Sequence, residues 1–594
     1  MRYIFIVLLF LVPALMQAQS TIRSTIVDSN TEQVIGFCNV FNTSTKNGVI
    51  SNKDGTFSIE INSLNDSICI SFVGYESRNI QARKLLALKR ISLSEKQFQL
   101  NEVVIHSDND YLYDILEDCR KVLKKHQQEQ VSKAFFSLNT SSNNKPLEIL
   151  ECYYNAHQTA RKVDGLFLKN GRFALLPSDK RFFRNQNTSQ VFNKMDLINR
   201  TPNLPDIILQ FKKSGMKKKF DINLSYADEE LFNITFSPKV KQADLFSGEI
   251  WIDKKSYFIK KITLYAKNIQ KHPFVAFAED SIANISLNTT YTYLQNDSVL
   301  SIEHIEFDMT MTYYSVSGSK LLKSQLPNLK RDIKISSILY FYDFDKPFIL
   351  PYFKYNNLYT DYRKISIIPY NASFWTNRKL LLSEEQREQA KIMNNEGYLV
   401  NYDPDNYGNN FMRKQLSEDE IFLHINNYFE HPSHLFWSRK NRVVIKKDII
   451  ENQEPDPFFN FKTTKDKYHL DIQILLDINP IDNIFDCKSY TIFDLTETFY
   501  KLETNEYTDA FVNIYFDICE IERQKMEKEL LVHHETKTEI DAIYNNTLAD
   551  IRTTTQEYMR QVQRGNNVNM LLKWNKYVKT ELGIDNFSLF QNNK

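Results

Sequence analysis

The chain is predicted to fold as a multidomain, β-rich α+β protein. Its 594 residues exceed what one hydrophobic core usually organises, so three or four domains are expected. Short apolar stretches separated by turn residues fill much of 19–345, which is typical of antiparallel strands. The C-terminal end of the chain shows helical spacing instead. These observations predict an N-terminal β-sandwich, a middle antiparallel β domain, and a C-terminal α+β domain that ends in a helical hairpin.

Composition excludes some classes of function. The chain carries 74 basic and 73 acidic residues, so no net field directs it toward nucleic acid. It has 42 Phe and 32 Tyr but only 13 Gly, which favours packed strands and helices over glycine-rich phosphate loops. No nucleic-acid partner and no cofactor are therefore expected.

The first eighteen residues are predicted to be a signal peptide. Arg2 supplies the charge, Ile4–Leu15 the apolar run, and Met16–Ala18 a cleavage site. The apolar run is short for a bilayer span, and no later stretch is apolar enough to cross a membrane as a helix. An exported protein without a transmembrane segment after cleavage is expected.

The six cysteines do not suggest a disulfide framework or a metal site, because they lie far apart without ligand spacing. Strand alternation places Cys38 inward and Cys69 on the opposite face, so a bridge between them is not expected. The cysteines are Cys38, Cys69, Cys119, Cys152, Cys487 and Cys519.

Residues 19–106 alternate between short strands and turns. Three ordered motifs stand in this region: Asn52–Phe57, Ser71–Glu76 and Leu100–Ile105. With these motifs the region resembles the carboxypeptidase-regulatory-like domain found before TonB-dependent receptors and in other Gram-negative envelope proteins. The resemblance implies a seven-stranded, transthyretin-like sandwich without catalytic residues, located in the periplasm or at the outer membrane.

Residues 107–130 are predicted to be a connecting helix, and 131–345 an antiparallel β domain. The hairpin Gly248–Asp253 with Tyr257–Ile262 resembles strands of a lipoprotein-carrier-like half barrel, which implies an apolar groove. The alternative is a large sheet with one buried face. The basic run Lys212–Lys219 is interpreted as a solvated loop rather than a phosphate or lipid-headgroup site.

Residues 346–420 are interpreted as a linker region. Four prolines interrupt it, and a short charged helix is predicted over Ser383–Asn394, where Ser383 can serve as the N-cap. No chemistry is assigned to this region.

The C-terminal region, 421–594, contains a predicted helix at Asp509–Arg523. Phe516, Asp517, Ile518 and Glu520 match the tail of a motif in a family of secreted, zinc-protease-like domains, where His-Glu-x-x-His precedes Phe-Asp-Ile and a glutamate. Further matches to the family pattern lie upstream and downstream: Trp437, Arg442, Val444, Asp448, Tyr558, Gly565 and Trp574.

The positions that would perform the chemistry hold Phe511, Val512, Tyr515 and Arg564. A zincin needs two imidazoles one helical turn apart and a carboxylate that activates the bound water. None of these four residues supplies such a group, so the resemblance implies a pseudoenzyme domain without catalytic residues, metal or cofactor. Phe511 is expected to be buried against a second helix, along Ile540–Tyr558.

The remaining histidine and charged candidates are interpreted as structural residues rather than as parts of a catalytic or metal site. His431 and His434, and the run His533–Glu535, are interpreted as surface or core residues rather than metal ligands. Glu520 and Arg523 are interpreted as a helix-surface ion pair.

The leading functional hypothesis is a non-catalytic binding or scaffolding protein of the periplasm or outer membrane, with a protein or other envelope partner. Two alternatives stay open. One is a metallopeptidase whose ligands are unrecognised, and the other is a carrier that holds an apolar ligand such as a lipid in the middle domain.

Overall fold

The computed structural model describes residues 20–96, 109–175, 195–315, 329–376, 434–450 and 467–591, apart from short gaps, together with residues 388, 389, 392 and 399–400. Several predictions lie outside the described residues. They are the signal peptide, the motif Leu100–Ile105, most of the helix Ser383–Asn394, and His431 and His533–Glu535.

The N-terminal domain consists of two small sheets that enclose one apolar core. One sheet has the strand order β4-β1-β7 and the other β3-β2-β5-β6. The elements are β1 (Ser20–Asp28), β2 (Asn39–Asn42), β3 (Asn47–Ile50), β4 (Thr56–Ile61), β5 (Ser67–Ser71), β6 (Arg78–Gln81), α1 (Ala82–Leu85) and β7 (Arg90–Leu93). Alternate residues of β4, namely Phe57, Ile59 and Ile61, face the core, as the pattern predicts.

The cysteine prediction is confirmed. Cys38 is fully buried in the core of the N-terminal domain, whereas Cys69 on β5 is half-buried on the other face. All six cysteines of the chain are free thiols.

The middle domain is an eleven-stranded sheet preceded by a helix, α2 (Asp110–Lys125). The strand order is β11-β12-β13-β14-β15-β16-β17-β8-β9-β10-β18, and every neighbouring pair is antiparallel. The strands are β8 (Gln130–Ser142), β9 (Lys145–Thr159), β10 (Lys162–Leu175), β11 (Phe220–Ala227), β12 (Leu231–Pro238), β13 (Ser247–Asp253), β14 (Ile259–Lys267), β15 (Ser281–Asn296), β16 (Val299–Ser315), β17 (Leu329–Tyr342) and β18 (Leu399–Val400).

One face of this sheet is covered by other parts of the chain. The apolar side of α2, residues 195–211 and Met216 form one continuous core with the sheet. Buried apolar residues form one stripe along α2: Leu112, Ile115, Leu116, Cys119 and Leu123.

The interpretation of Lys212–Lys219 as a loop is wrong. Lys213–Lys219 forms a short helix, α3. Met216 anchors it in the core, while Lys213 and Lys217 form ion pairs with Asp114 and Asp110 of α2. The local sequence could not show these partners, because they lie about one hundred positions away in the chain.

The linker interpretation does not describe 346–376. This segment, which we call the strap, packs between the middle and C-terminal domains and contains two short helices, α4 (Asp361–Ile367) and α5 (Ala372–Thr376). Ile365 lies over Gly171 of β10, where any Cβ would approach it to 2.5 Å. Phe374 and Trp375 pack on Tyr153 of β9. Proline prevents long regular elements here, but the aromatic residues still bury the strap.

The C-terminal domain combines a three-stranded sheet, of order β19-β21-β20, with four helices. Arg442–Val444 has no regular secondary structure and leads into a π-helical segment, Ile445–Ile450. The domain does not end in a two-helix hairpin, because two further helices follow α7. The elements are β19 (His434–Phe436), β20 (Tyr468–Ile481), β21 (Ile484–Tyr500), α6 (Thr508–Leu530), α7 (Lys537–Val562), α8 (Val568–Leu582) and α9 (Asn586–Gln591).

Among the described residues, no helix combines the length and the apolar character needed to cross a bilayer.

Candidate functional site

The candidate site lies on α6, which is buried on most of its sides. The strands β20 and β21 pack against it on one side, and α7, α8 and α9 on others. Phe516 of α6 meets Phe493 of β21 edge to face, with ring centroids 5.4 Å apart. At the start of the helix, a carboxylate oxygen of Asp509 accepts a hydrogen bond of 2.9 Å from the amide of Ile445. The helix is therefore a central core element rather than the wall of an open cleft.

Phe511 is the residue that the predicted zinc-protease resemblance aligns with the first histidine ligand. Its side chain is fully buried, and its ring stacks on Tyr558 of α7 at a centroid distance of 5.8 Å. The Tyr558 hydroxyl donates a hydrogen bond of 2.7 Å to the Phe511 carbonyl. Tyr468 of β20 closes the other side, 6.4 Å away and edge-on. The predicted burial of Phe511 against the second helix is confirmed.

The same predicted resemblance aligns Val512 with the catalytic glutamate and Tyr515 with the second histidine. Val512 is fully buried and offers no lone pair. Tyr515 is half-buried, and its ring centroid lies 6.3 Å from that of Tyr558. Burial raises the pKa of the Tyr515 phenol to about 12, so it is neutral near pH 7. A neutral phenol is a poor zinc ligand, so neither residue supplies metal chemistry.

Arg564, which the predicted resemblance aligns with the third ligand, lies in the connection between α7 and α8. Its backbone is left-handed, with φ of 62°, and its guanidinium lies 5.6 Å from the Tyr468 ring. The following residue, Gly565, has φ of 87° and lies directly against the Phe511 side chain. Phe511, Tyr515 and Arg564 thus each lie near Tyr468 or Tyr558, although 564 is far from 511 in the chain.

Residues that carry the zinc-protease resemblance also meet in one hydrogen-bond network. Asp517 is fully buried and accepts from the Trp437 indole at 2.8 Å and from the Arg442 guanidinium at 2.7 Å. A third donor, the Asn586 side-chain amide, lies 2.7 Å away. Asn586 lies near the C-terminus and belongs to none of the motifs identified in the sequence.

Glu520 and Arg523 do not form the predicted surface pair, because β21 covers this side of α6. Both residues are buried, with 2.8 Å between the guanidinium and the carboxylate. The Thr491 hydroxyl donates to Glu520 at 2.7 Å, and Arg523 donates to the Ser489 hydroxyl at 2.9 Å. The pair connects the helix to the sheet.

The histidine prediction holds for His434, which is a buried core residue. Its Nε2 lies 3.2 Å from a carboxylate oxygen of Asp494, between the rings of Phe353 and Tyr359. Burial alone would raise the pKa of Asp494, but His434 and Thr496 together hold it below its usual value. Within the described part of the chain, no group of three or more His, Cys, Asp or Glu side chains is arranged to hold a metal ion.

A buried ion pair joins the middle domain to the C-terminal domain. The Lys169 ammonium of β10 lies 2.5 Å from Asp477 of β20 and donates to the carbonyls of Ile349 and Ile478. The side chains of Lys169 and Asp477 are 1% and 5% exposed. This contact connects a strand of the middle sheet, the strap and a strand of the C-terminal sheet.

The N-terminal domain contacts the middle sheet through more exposed groups. The Lys53 ammonium lies 2.8 Å from Asp308 of β16, and the Asn39 amide donates to Glu303 at 3.0 Å. The ring of Phe37 lies 6.1 Å from that of His304 on the same strand.

Comparison with known proteins identifies one domain. Residues 22–105 match the CarboxypepD_reg-like domain family. This confirms the resemblance of the N-terminal region, including the motif at 100–105. No curated protein matches the chain significantly.

Several solved structures are similar to part of the chain at low scores. A DUF1329 family protein from Desulfovibrio piger is 10% identical, with 42% of this chain and 93% of that protein covered and a TM-score of 0.16. A chain of the Pseudomonas aeruginosa MucA/MucB complex is 8% identical, with 38% of this chain and 92% of that chain covered and a TM-score of 0.14. A LolA superfamily protein from Nitrosomonas europaea is 12% identical, with 39% of this chain and 94% of that protein covered and a TM-score of 0.16. TM-scores this low carry no argument about fold or function.

Proposed function

We propose that this chain is a non-catalytic binding or scaffolding protein of the Gram-negative periplasm or outer membrane, with a zinc-protease-like pseudoenzyme domain at its C-terminus. The observation that carries the proposal is the packing at positions 511, 512, 515 and 564. These positions lie together in space, yet they hold Phe, Val, Tyr and Arg.

The chemistry of this arrangement opposes metal catalysis. A catalytic zinc needs nitrogen, sulfur or oxygen ligands and an open coordination position for water. Here the Phe511 ring is stacked on Tyr558, and the Arg564 guanidinium would repel a cation. This packed aromatic core supports the proposal that the domain has no metal and substrate site like that of a zincin.

The fixed association of the domains supports a scaffolding role. The strap and the pair Lys169–Asp477 connect the middle and C-terminal domains through buried polar contacts. The apolar run Ile4–Leu15 and the type of the N-terminal domain support export to the envelope. A rigid body of the middle and C-terminal domains, with the N-terminal domain attached to it, can hold a partner at a set position without chemistry of its own.

The metal content of the purified full-length protein tests this proposal. Elemental analysis after dialysis should find far less than one zinc per chain, and no peptidase activity that a chelator abolishes. About one zinc per chain, together with chelator-sensitive hydrolysis of an unfolded protein substrate, would overturn the proposal and favour the metallopeptidase alternative.

A carrier of apolar ligands is the second hypothesis, and the cover of the middle sheet favours it. The amphipathic helix α2 closes a large apolar face, and the Tyr113 hydroxyl attaches it to the carbonyl of Phe220 at 2.8 Å. In the described residues, that face is filled by the chain's own side chains. Stoichiometric lipid extracted from the purified sample would favour the carrier over the scaffold.

A further inference from the structure

The run Lys212–Lys219 concentrates positive charge at one edge of the middle domain. Five lysines occur in it, and no acidic residue stands between Ile207 and Phe220. Two of the lysines, Lys213 and Lys217, are paired with carboxylates of α2. The others are Lys212, Lys218 and Lys219, and no carboxylate of the described residues lies within ion-pair distance of them. Their charge is therefore available to an outside partner.

Neighbouring elements extend this charge. The Lys219 ammonium and the Arg200 guanidinium lie over the Phe211 ring, 4.4 Å and 5.1 Å from its centroid. The amide of Lys239, just after β12, donates to the Lys219 carbonyl at 2.9 Å. That bond brings the end of β12 beside the end of α3, where Val240 is 65% exposed. We call Lys212, Lys218, Lys219, Lys239 and Val240 the lysine corner.

The carboxylates near the lysine corner balance only part of its charge. Asp221 lies 3.7 Å from Lys239, and Asp206 lies 3.5 Å from Arg200. The chain as a whole has a formal net charge of only +1. The excess at the corner is therefore local, and it would orient the protein toward an anionic surface rather than attract the whole molecule.

We propose that the lysine corner docks the protein on an anionic phospholipid surface. Lysines near such a surface gain electrostatic attraction to the headgroups, and this attraction decays within a Debye length. The exposed Val240 can enter the interfacial region between headgroups, while the lysine stems lie along it. The orientation would place one end of the eleven-stranded sheet against the membrane.

This inference rests on the proposed envelope location, because only an exported protein meets these membrane surfaces. It does not depend on the zinc-protease resemblance. Vesicle binding in vitro is independent of both metal content and cellular location, so its failure would leave the proposed function standing.

The test is sedimentation of the full-length protein with two kinds of vesicle, one containing phosphatidylglycerol and one of phosphatidylcholine alone. Binding to the anionic vesicles is expected, and it should weaken as salt rises. Reversing two exposed charges, with Lys212→Glu and Lys218→Glu together, should lower the apparent affinity by about tenfold or more. The matched control is Lys573→Glu with Lys576→Glu on α8, which makes the same net charge change at other exposed positions.

Three results would overturn the proposal. They are the absence of binding to anionic vesicles, equal binding to phosphatidylcholine vesicles, and an equal loss in the α8 control. Circular dichroism should show the same melting curve for both variants, because all four lysines are exposed. If the Lys212/Lys218 variant melts early, the salt dependence and lipid dependence of the unaltered protein decide the question.

Discussion

The middle sheet contacts the N-terminal domain and the C-terminal domain in two different ways. The Lys53–Asp308 pair toward the N-terminal domain has side chains 51% and 34% exposed, whereas Lys169 and Asp477 are almost fully buried. Charges in water contribute little net stability when paired, but a buried charge depends on its partner. The N-terminal domain is therefore an attached module, and the C-terminal domain is an integral part of one larger body.

The cores show the same difference. Within the described residues, the core of the N-terminal sandwich around Phe57 and Ile70 consists of side chains from that domain itself. In contrast, Ile349 and Tyr352 of the strap pack into a core formed by β20, α6 and α7. Tyr352 also forms backbone hydrogen bonds with Leu476 of β20. The boundary of the N-terminal domain can be predicted from the sequence, whereas the boundary between the middle and C-terminal domains cannot.

The largest difference is expected when one partner is removed from each ion pair. Asp477→Ala removes the carboxylate that lies 2.5 Å from the buried Lys169 ammonium, which should lower the free energy of unfolding by roughly 3–5 kcal/mol. The matched control, Asp308→Ala, leaves Lys53 in solvent and should cost less than about 1 kcal/mol. Hydrogen exchange of peptides from β20 and β16, measured in the full-length protein, reports both values.

Equal effects of these two substitutions would contradict the distinction between module and integral domain. A small cost for Asp477→Ala would mean that water reaches Lys169, so that the second interface is as open as the first.

A smaller effect is expected from pH at the N-terminal interface. Burial alone would lower the pKa of His304, but Glu303 and Glu306, 3.5 Å and 3.4 Å from its ring nitrogens, raise it to about 9. Because this pKa lies above the unfolded value near 6.5, the contribution is complete below pH 6.5 and is lost as pH rises through about 9. The loss should be at most about 3 kcal/mol.

Thermal unfolding of the full-length protein at pH 6 and pH 9.5 measures this contribution. His304→Gln should remove the pH dependence, whereas His157→Gln, at a half-exposed position on β9, should retain it. The same pH dependence in the His304 variant would show that another group titrates in this window.

Local patterns predicted much of the N-terminal fold and of the candidate site. Strand alternation gave the correct faces for Cys38 and Cys69, and helical spacing placed Phe511 in the core. These predictions depend on near neighbours, for which a period of two or 3.6 residues is sufficient. The resemblance to a zinc-protease-like family named positions 511, 515 and 564, which the fold brings together.

Long-range contacts explain where prediction failed. α3 is held by carboxylates of α2, and the strap is held by strands before and after it, so the local composition indicated a loop and a linker. Arg523 looks exposed by its charge, yet Ser489 of β21 accepts from it. The Asn586 side-chain amide donates a hydrogen bond to Asp517, which lies 69 residues earlier in the chain. The spacing of apolar residues within one helix or strand cannot predict a contact between residues so far apart.

The central claim is that position 511 lies in a packed core rather than in an open cleft, and Phe511→Ala tests it most directly. The substitution removes a fully buried ring that stacks on Tyr558, so it should lower the local free energy of unfolding by roughly 3–5 kcal/mol. The measurement is hydrogen exchange of α6 peptides in the full-length protein as denaturant increases. Phe167→Ala, at a site 47% exposed, is the matched control and should change stability by less than about 1 kcal/mol. If Phe511→Ala also costs less than about 1 kcal/mol, α6 borders an open cleft and the claim is wrong.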